Sequence, residues 1–371
     1  MKSTKRLSLI SAALAFVASL ALLTASAKAE LFLYVAHFSS DDITVISIPD
    51  HEIVGNISLG APRGAMDSAE GGVFDNRGAH IDDIIGSPDG RVLYVNRGIE
   101  TGHKLGSPTK GEIVAVNTEN ERVLWSVPID EGWPHHISLS DDGRYLYAPL
   151  FDRPFVAVVD TQKPGLAEPL HAPWGGHGSR LSPDGKRLYV GSILTDSLYV
   201  VDIAKNQIVQ ILSFRDGVRP FAFDEAETVL YTQLSRLHGF AVADLKTGEV
   251  TKTVRMPGLP AGFQGPKEFP HNVNHGLELS PDEKYLVAAG TAVNRAYIYS
   301  HPELDLIETI DIGNDSNWVV FSPDSRFAYI TNRTDNSVSI VSMEEMKEVK
   351  RIPTGGERPG RMRVVDVPNR R

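Results

Sequence analysis

The chain has 371 residues, of which 42 % are hydrophobic and 23 % are charged. This composition is that of a globular protein and excludes a disordered chain or a multi-span membrane protein. The 37 basic residues are outnumbered by 47 acidic ones, and the net charge of −10 argues against nucleic acid as the main partner. Because the chain has no cysteine, disulfides, iron–sulfur clusters and covalently attached c-type haem are excluded.

The N-terminus has the pattern of a cleavable export signal. Lys2, Lys5 and Arg6 precede an apolar run over residues 7–23, and Ala27-Lys28-Ala29 is a small-x-small cleavage pattern. We therefore predict a signal peptide over residues 1–29, a mature domain over residues 30–371 and a periplasmic or secreted location. No second apolar run approaches spanning length, so the sequence predicts no stable membrane span.

One turn sequence recurs through the rest of the chain. Ser-Pro-Asp-Gly or a close variant, followed by an apolar strand, appears five times, and a degenerate sixth copy is present. The copies start 53, 42, 42, 56 and 42 residues apart. A period near 42 residues is typical of four short strands, which form one blade of a β-propeller. The copies begin at Ser87, Ser140, Ser182, Asp224, Ser280 and Ser322.

The two ends of the mature chain together supply one more blade. Residues 31–59 match a unit that lacks its first strand, and residues 357–367 have the pattern of that missing strand. Pairing the ends closes the ring and removes an exposed sheet edge. The sequence therefore predicts an all-β, seven-bladed β-propeller closed by its N- and C-terminal strands.

Two of the apolar strands carry a recognisable motif. Leu93-Tyr94-Val95-Asn96 and Tyr329-Ile330-Thr331-Asn332, together with the Ser-Pro-Asp-Gly turns, resemble the YVTN family of β-propeller repeat proteins. The resemblance covers nearly the whole mature chain and implies the propeller fold. It implies no single function, because the family includes surface-layer, binding and enzymatic members.

Equivalent positions on the innermost strands should converge on the propeller axis. Counting back five residues from each turn gives a predicted ring of polar side chains, and three of its members are histidines. The ring comprises Asp82, His135, His177, Arg219, His275, Asn317 and, at the seventh position, Gly360 or Arg361.

Imidazole is the commonest metal ligand in proteins, so three ring histidines favour a transition-metal site, with copper as the first candidate and iron or zinc as alternatives. The structural alternative is that the ring histidines only satisfy backbone groups and channel water. This placement is similar in position to the copper-binding hubs of nitrous-oxide reductase and thiocyanate dehydrogenase. Asp82 and His136 are the candidate catalytic residues that would move protons. The predicted ligands are His135, His177 and His275, with His80 and His271 as additional ones.

Four other residues are candidates for binding a small substrate, and each has a structural alternative. Arg219 would bind an anionic group or form an ion pair, and Asn317 lies in the ring. Trp133 and Trp174 precede ring histidines and would wall a pocket or pack between blades.

These observations leave two functions open. The first is an exported metal-dependent oxidoreductase that acts on a small molecule, with long loops near residues 60–79 and 257–274 over its pocket. The second is a non-catalytic propeller that binds a ligand or an envelope protein. Hydrolases of the serine type are disfavoured because the chain has no G-x-S-x-G motif.

Overall fold

The computed structural model describes residues 30–60, 79–99, 110–263, 272–368 and 370. These residues form seven antiparallel sheets joined by turns, so the predicted all-β, seven-bladed propeller is confirmed. The predicted signal peptide lies outside the described residues, as do residues 61–78 and 264–271 of the two predicted pocket loops. Within the described ranges, no helix is both long enough and apolar enough to span a membrane.

The strands follow one another blade by blade around the ring. Blade 1 contains β1 (Glu30–His37), β2 (Asp42–Ile48) and β3 (Ile53–Ser58), and blade 2 contains β4 (Ala79–Gly86), β5 (Val92–Ile99), β6 (Lys110–Asn117) and β7 (Val123–Ile129). Blade 3 contains β8 (Ser138–Leu139), β9 (Tyr145–Pro149), β10 (Phe155–Asp160) and two short outer strands, β11 (Gly165–Leu166) and β12 (Leu170–His171). Blade 4 contains β13 (Gly176–Leu181), β14 (Arg187–Ser192), β15 (Ser197–Asp202) and β16 (Gln207–Ser213).

The second half of the ring repeats this order. Blade 5 contains β17 (Val218–Phe223), β18 (Val229–Leu234), β19 (Gly239–Asp244) and β20 (Val250–Arg255). Blade 6 contains β21 (Leu277–Leu279), β22 (Tyr285–Gly290), a 3-10 turn (Thr291–Val293), β23 (Arg295–Ser300) and β24 (Leu306–Asp311). Blade 7 contains β25 (Ser316–Phe321), β26 (Phe327–Asn332), β27 (Ser337–Ser342) and β28 (Lys347–Pro353), and the last strand is β29 (Pro359–Val367).

The final strand closes the ring as predicted. β29 pairs antiparallel with β1, with Leu33 opposite Val364, and becomes the innermost strand of blade 1. The first blade is therefore built from both ends of the chain, which gives β1 a partner on each side.

The repeated turn joins the first and second strands of its blade. In blade 4 the Ser182 hydroxyl donates to Asp184 at 2.6 Å and accepts the amide proton of Arg187 at 3.0 Å. Asp184 also accepts the amide proton of Lys186 at 3.1 Å. Gly185 follows with φ of +66°, a backbone conformation that favours glycine. These contacts explain why the sequence Ser-Pro-Asp-Gly recurs.

The innermost strands are irregular at the propeller axis. The strand pairing shifts register by one residue between Ile81 and Asp83, between Gly176 and Ser179, between Val218 and Phe221, and between Ser316 and Val319. A similar shift falls in β29 opposite the end of β1. Each shift lies at a position of the predicted polar ring. A bulge adds an unpaired residue and redirects side chains, so the backbone of the ring differs from a regular strand.

Two glycines of the repeated turn have different neighbours, so replacing each with alanine should separate the cost of backbone strain from the cost of overpacking. Gly90 and Gly185 have φ of +68° and +66°. A Cβ on Gly90 would overlap the carbonyl oxygen of Asp366 in the closing strand, whereas one on Gly185 meets no atom within 4 Å. We expect Gly185→Ala to cost about 1–2 kcal/mol of unfolding free energy from backbone strain. Gly90→Ala should cost about 1–3 kcal/mol more from overpacking. Urea unfolding of both variants measures the difference, and equal losses would contradict the close contact with the closing strand.

Candidate functional site

Three histidines meet at the propeller axis. One ring nitrogen from each of His135, His136 and His177 lies within 4.8 Å of the others, and all three side chains are buried. The ring centroids are 4.4 Å apart for His136 and His177 and 5.2 Å apart for His135 and His177. We call these three residues the imidazole cluster.

The cluster differs in one member from the ligand set expected from the sequence. The ring of His275 is also buried at the axis, but its centroid lies 5.6 Å from that of His177 and 6.2 Å from that of His136. His136 therefore takes the place expected for His275. The irregular backbone provides the reason, because the chain gains one residue between the pairs Pro134–Leu150 and Ser138–Tyr147, and two consecutive side chains reach one cluster.

An acidic partner holds one side of the cluster. The Nδ1 atom of His135 lies 2.8 Å from the Oδ2 atom of Asp82, which β4 contributes from the neighbouring blade. Burial raises the pKa of Asp82, but the adjacent side chains of His135 and Arg361 outweigh burial and hold this pKa at about 2. The ionised carboxylate fixes the orientation of His135 and leaves its Nε2 atom free of Asp82.

A guanidinium group holds the other side. Arg361 fills the seventh ring position, and its Nε atom donates to Nδ1 of His136 at 2.7 Å. Its Nη2 atom also lies against Nε2 of His136, and its guanidinium carbon is 4.0 Å from the ring centroid of Trp318. Burial lowers the pKa of Arg361 to about 10, so the group stays charged at neutral pH. Arg361 thus places a buried positive charge beside His136, and Arg219 is a second buried arginine of the ring.

The buried imidazoles are disposed to remain uncharged. Burial is the largest cause that lowers the pKa of His136, His177 and His275 well below its usual value, and nearby arginines and histidines lower it further. Among the described residues, the Nδ1 atoms of His177 and His275 have no hydrogen-bond partner although they are buried. These lone pairs or N–H groups are therefore available to a bound molecule or ion.

Asp83, the second aspartate of β4, forms hydrogen bonds with the backbone. Asp83 accepts the amide protons of Ile84 at 2.9 Å and of Ile137 at 2.8 Å, and one oxygen lies 3.8 Å from Nδ1 of His136. Burial raises the pKa of this carboxyl group. Asp83 therefore anchors blade 3 to blade 2 directly beside the cluster.

A cavity of about 260 Å³ adjoins His136 and Trp318 at the axis. Its wall includes the hydroxyl groups of Ser138 and Ser179, which are 2.9 Å apart. Asp83, Arg363 and an ion pair between Arg180 and Glu278 line the rest of its polar surface. The cavity therefore offers both donors and acceptors to a small polar molecule.

The predicted substrate-binding residues occupy different environments. Asn317 lies 3.4 Å from Nη1 of Arg361, and the Nε atom of Arg219 donates to the Ser235 hydroxyl at 2.8 Å. Trp133 is buried against His135, with ring centroids 4.5 Å apart. Trp174 is 49 % exposed. Asn317 and Trp133 thus lie at the site, Arg219 is a buried ring member, and Trp174 lies at the surface.

Of the two additional predicted ligands, the structure describes only His80, and His80 lies outside the cluster. The ring of His80 packs between Phe38, at a centroid distance of 4.4 Å, and Trp133, at 5.2 Å. His271 lies outside the described residues. His80 is therefore separated from the imidazole cluster by the ring of Trp133.

One positioning residue was not assigned a role from the sequence. The side-chain amide of Asn96 donates to the carbonyl oxygens of Pro134, at 2.8 Å, and of His135. It thereby fixes the backbone that carries the two consecutive histidines. Asn96 is the last residue of the Leu-Tyr-Val-Asn motif, so the sequence contains a signal for this residue. The motif by itself indicates the propeller fold and not a contact with the histidine backbone.

Comparison with known proteins assigns the family. Residues 83–366 match the family model described as lactonase, 7-bladed beta-propeller. The chain belongs to this family. The match agrees with the seven blades, whereas the YVTN affiliation and the likeness to copper propellers remain predictions.

Individual relatives are more distant. The chain is 22 % identical over 258 residues to 6-phosphogluconolactonase from Erwinia tasmaniensis, which covers 64 % of the chain and 75 % of that protein. It is 28 % identical over 108 residues to the uncharacterized protein SSP0869 from Staphylococcus saprophyticus, of which it spans only 31 %. The solved structure of the Pseudomonas aeruginosa periplasmic gluconolactonase PpgL has a TM-score of 0.68 and 21 % identity, with 91 % of this chain and 100 % of that chain covered. At this identity the structural likeness shows the fold alone.

The anchoring role of Asp83 makes a prediction about stability. Asp83→Ala leaves two buried amide protons without their acceptor, and we expect it to cost about 2–4 kcal/mol of unfolding free energy. The matched change Ser179→Ala, which removes one hydroxyl donor to the carbonyl oxygen of His136 at 2.8 Å, should cost about 1 kcal/mol. Denaturant unfolding compares the two, and a loss for Asp83→Ala no larger than for Ser179→Ala would show that the carboxylate does not anchor the blades.

Proposed function

We propose that the protein hydrolyses a small lactone at the propeller axis. The observation that carries this proposal is the pairing of Asp82 with His135, 2.8 Å apart, in the same buried cluster as the guanidinium of Arg361. Membership in the propeller lactonase family supports the reaction class. Relatives named 6-phosphogluconolactonase and gluconolactonase favour a sugar-derived lactone.

Lactone hydrolysis needs a base, a group that stabilises an oxyanion and an acid. In the proposed reaction Nε2 of His135 takes a proton from water while the water oxygen bonds to the lactone carbonyl carbon. Asp82 holds the imidazole in position and stabilises its protonated form. The bond between this carbon and the ring oxygen then breaks, and the proton passes from His135 to the leaving oxygen. The product is the open hydroxy acid.

Arg361 is suited to stabilise the negative charge that develops on the carbonyl oxygen. Its guanidinium is buried, charged at neutral pH and held in place by His136 and the ring of Trp318. A preorganised positive group in a site with little water stabilises an oxyanion strongly. Asn317 and Trp133 would position the substrate, and the hydroxyls of Ser138 and Ser179 in the adjoining cavity would bind its polar groups.

The alternative of a metal-dependent oxidoreductase requires both a bound metal and a redox reaction. The imidazole cluster favours metal binding. We nevertheless prefer hydrolysis to a redox reaction, because hydrolysis accounts for the family match without an electron acceptor. A non-catalytic binding propeller is the outcome if no lactone is hydrolysed. The predicted export signal and the likeness to a periplasmic gluconolactonase support the periplasm as the proposed location.

The catalytic proposal predicts a specific loss of activity. Glucono-δ-lactone and its 6-phosphate are offered to the protein, and the rate above spontaneous hydrolysis is measured with a pH indicator. We expect His135→Gln to lower kcat by about 10²–10⁴-fold because it removes the base. Asp82→Asn should lower kcat by a similar factor, since it favours the wrong tautomer of His135. His171→Gln, which changes an exposed histidine of blade 3, is the matched control and should keep the wild-type rate.

Two results would contradict this proposal. If the wild-type protein does not accelerate the hydrolysis of either lactone, the non-catalytic alternative is favoured. If His135→Gln is as active as the wild type, His135 is not the base. Thermal unfolding of each variant shows whether a loss of rate reflects a loss of the folded protein.

A further inference from the structure

The spacing of two imidazoles at the axis is that of two ligands on one metal ion. The Nε2 atoms of His136 and His177 are 3.4 Å apart. Zinc-like ions bind imidazole nitrogen at about 2.1 Å, and two ligands at tetrahedral angles are then about 3.4 Å apart. The third member, His135, offers a ring nitrogen within 4.8 Å of the other two.

The surroundings of the cluster meet other requirements of a metal site. Metal-binding histidines commonly bond a carboxylate through their second nitrogen, and Asp82 lies 2.8 Å from Nδ1 of His135. His177 is 4 % exposed and its Nδ1 atom has no hydrogen-bond partner among the described residues. Because no partner fixes a proton on either nitrogen through Nδ1, His177 can adopt the tautomer that presents the Nε2 lone pair to an ion.

We infer that His135, His136 and His177 bind one first-row transition-metal dication. An all-nitrogen donor set suits zinc, cobalt or copper rather than magnesium or calcium, which prefer oxygen. Three protein ligands leave one tetrahedral position open for a small molecule. The inference concerns binding and goes beyond the proposed hydrolysis, which does not require an ion.

Arg361 opposes this binding and so provides a second means of testing it. Its guanidinium lies against Nε2 of His136, the atom that would face the ion. An incoming cation must displace this group and is repelled by its charge. Removal of the charge should therefore tighten metal binding, whereas loss of a ligand should abolish it.

The test uses the mature protein after treatment with a chelator. Co²⁺ is titrated in and followed by calorimetry and by visible absorption, because tetrahedral cobalt absorbs much more strongly than octahedral cobalt. We expect one ion per chain for the wild type and loss of stoichiometric binding for His177→Gln. Asp82→Asn should bind about 10–100-fold more weakly, since it removes the partner of a ligand. Arg361→Met should bind more tightly than the wild type.

Two histidine variants serve as controls. His171→Gln changes an exposed histidine and should bind like the wild type, which excludes surface histidines as the source of the signal. His275→Gln tests the ligand set expected from the sequence and should also retain binding. A melting temperature for each apoprotein confirms that a variant that fails to bind is folded.

Three results would overturn the site. They are the absence of stoichiometric Co²⁺ binding to the wild type, unchanged affinity in His177→Gln, and loss of binding in His275→Gln without loss in His136→Gln. Since binding is measured without substrate, the outcome is separate from that of the hydrolysis assay. A chain that binds one ion but hydrolyses no lactone keeps the metal site and overturns only the proposed function, and the reverse result overturns only the metal site.

Discussion

The additional residue in the innermost strands is the constraint on which the site depends. In a regular strand, consecutive side chains point to opposite faces of the sheet, so two neighbouring residues cannot both enter one cluster. The register shifts near Asp82, His177 and Asn317 break this alternation where the strands meet the axis. In blade 3 the same irregularity lets both His135 and His136 join one cluster. The side-chain amide of Asn96, bonded to the carbonyl oxygens of Pro134 and His135, holds the backbone in this irregular path.

A second constraint is that the charged side chains at the axis are buried. An isolated charged group costs several kcal/mol to bury, and the cost is reduced only by partners at hydrogen-bond distance. Asp82 has His135, and Arg361 has His136 and the face of Trp318. Asp83 has two backbone amides instead of a charged side chain. The Nδ1 atoms of His177 and His275 are buried without a hydrogen-bond partner among the described residues, and a bound substrate would supply one.

The sequence was sufficient to predict the blades because the turn chemistry is local. Ser182, Asp184 and Gly185 form their contacts within six residues, so each copy identifies a blade without knowledge of the others. Counting back from these turns also placed Asp82, His135 and His177 correctly at the axis. It did not predict the inclusion of His136, because a count assumes equal register and cannot detect a bulge. Arg361 stayed undecided between two positions, since the last strand has no following turn from which to count.

The proposed hydrolysis and the proposed metal site both require the Nε2 atom of His135. As a base, His135 must accept a proton on Nε2, because Asp82 holds Nδ1. As a metal ligand it would use the same lone pair, which can bind a proton or an ion but not both. An ion held by the cluster would therefore remove His135 from acid–base chemistry and place its own charge where Arg361 now lies. The charge of Arg361 would thus favour the form of the cluster in which His135 is free to act as a base, and the buried charge of Arg219 would act in the same direction.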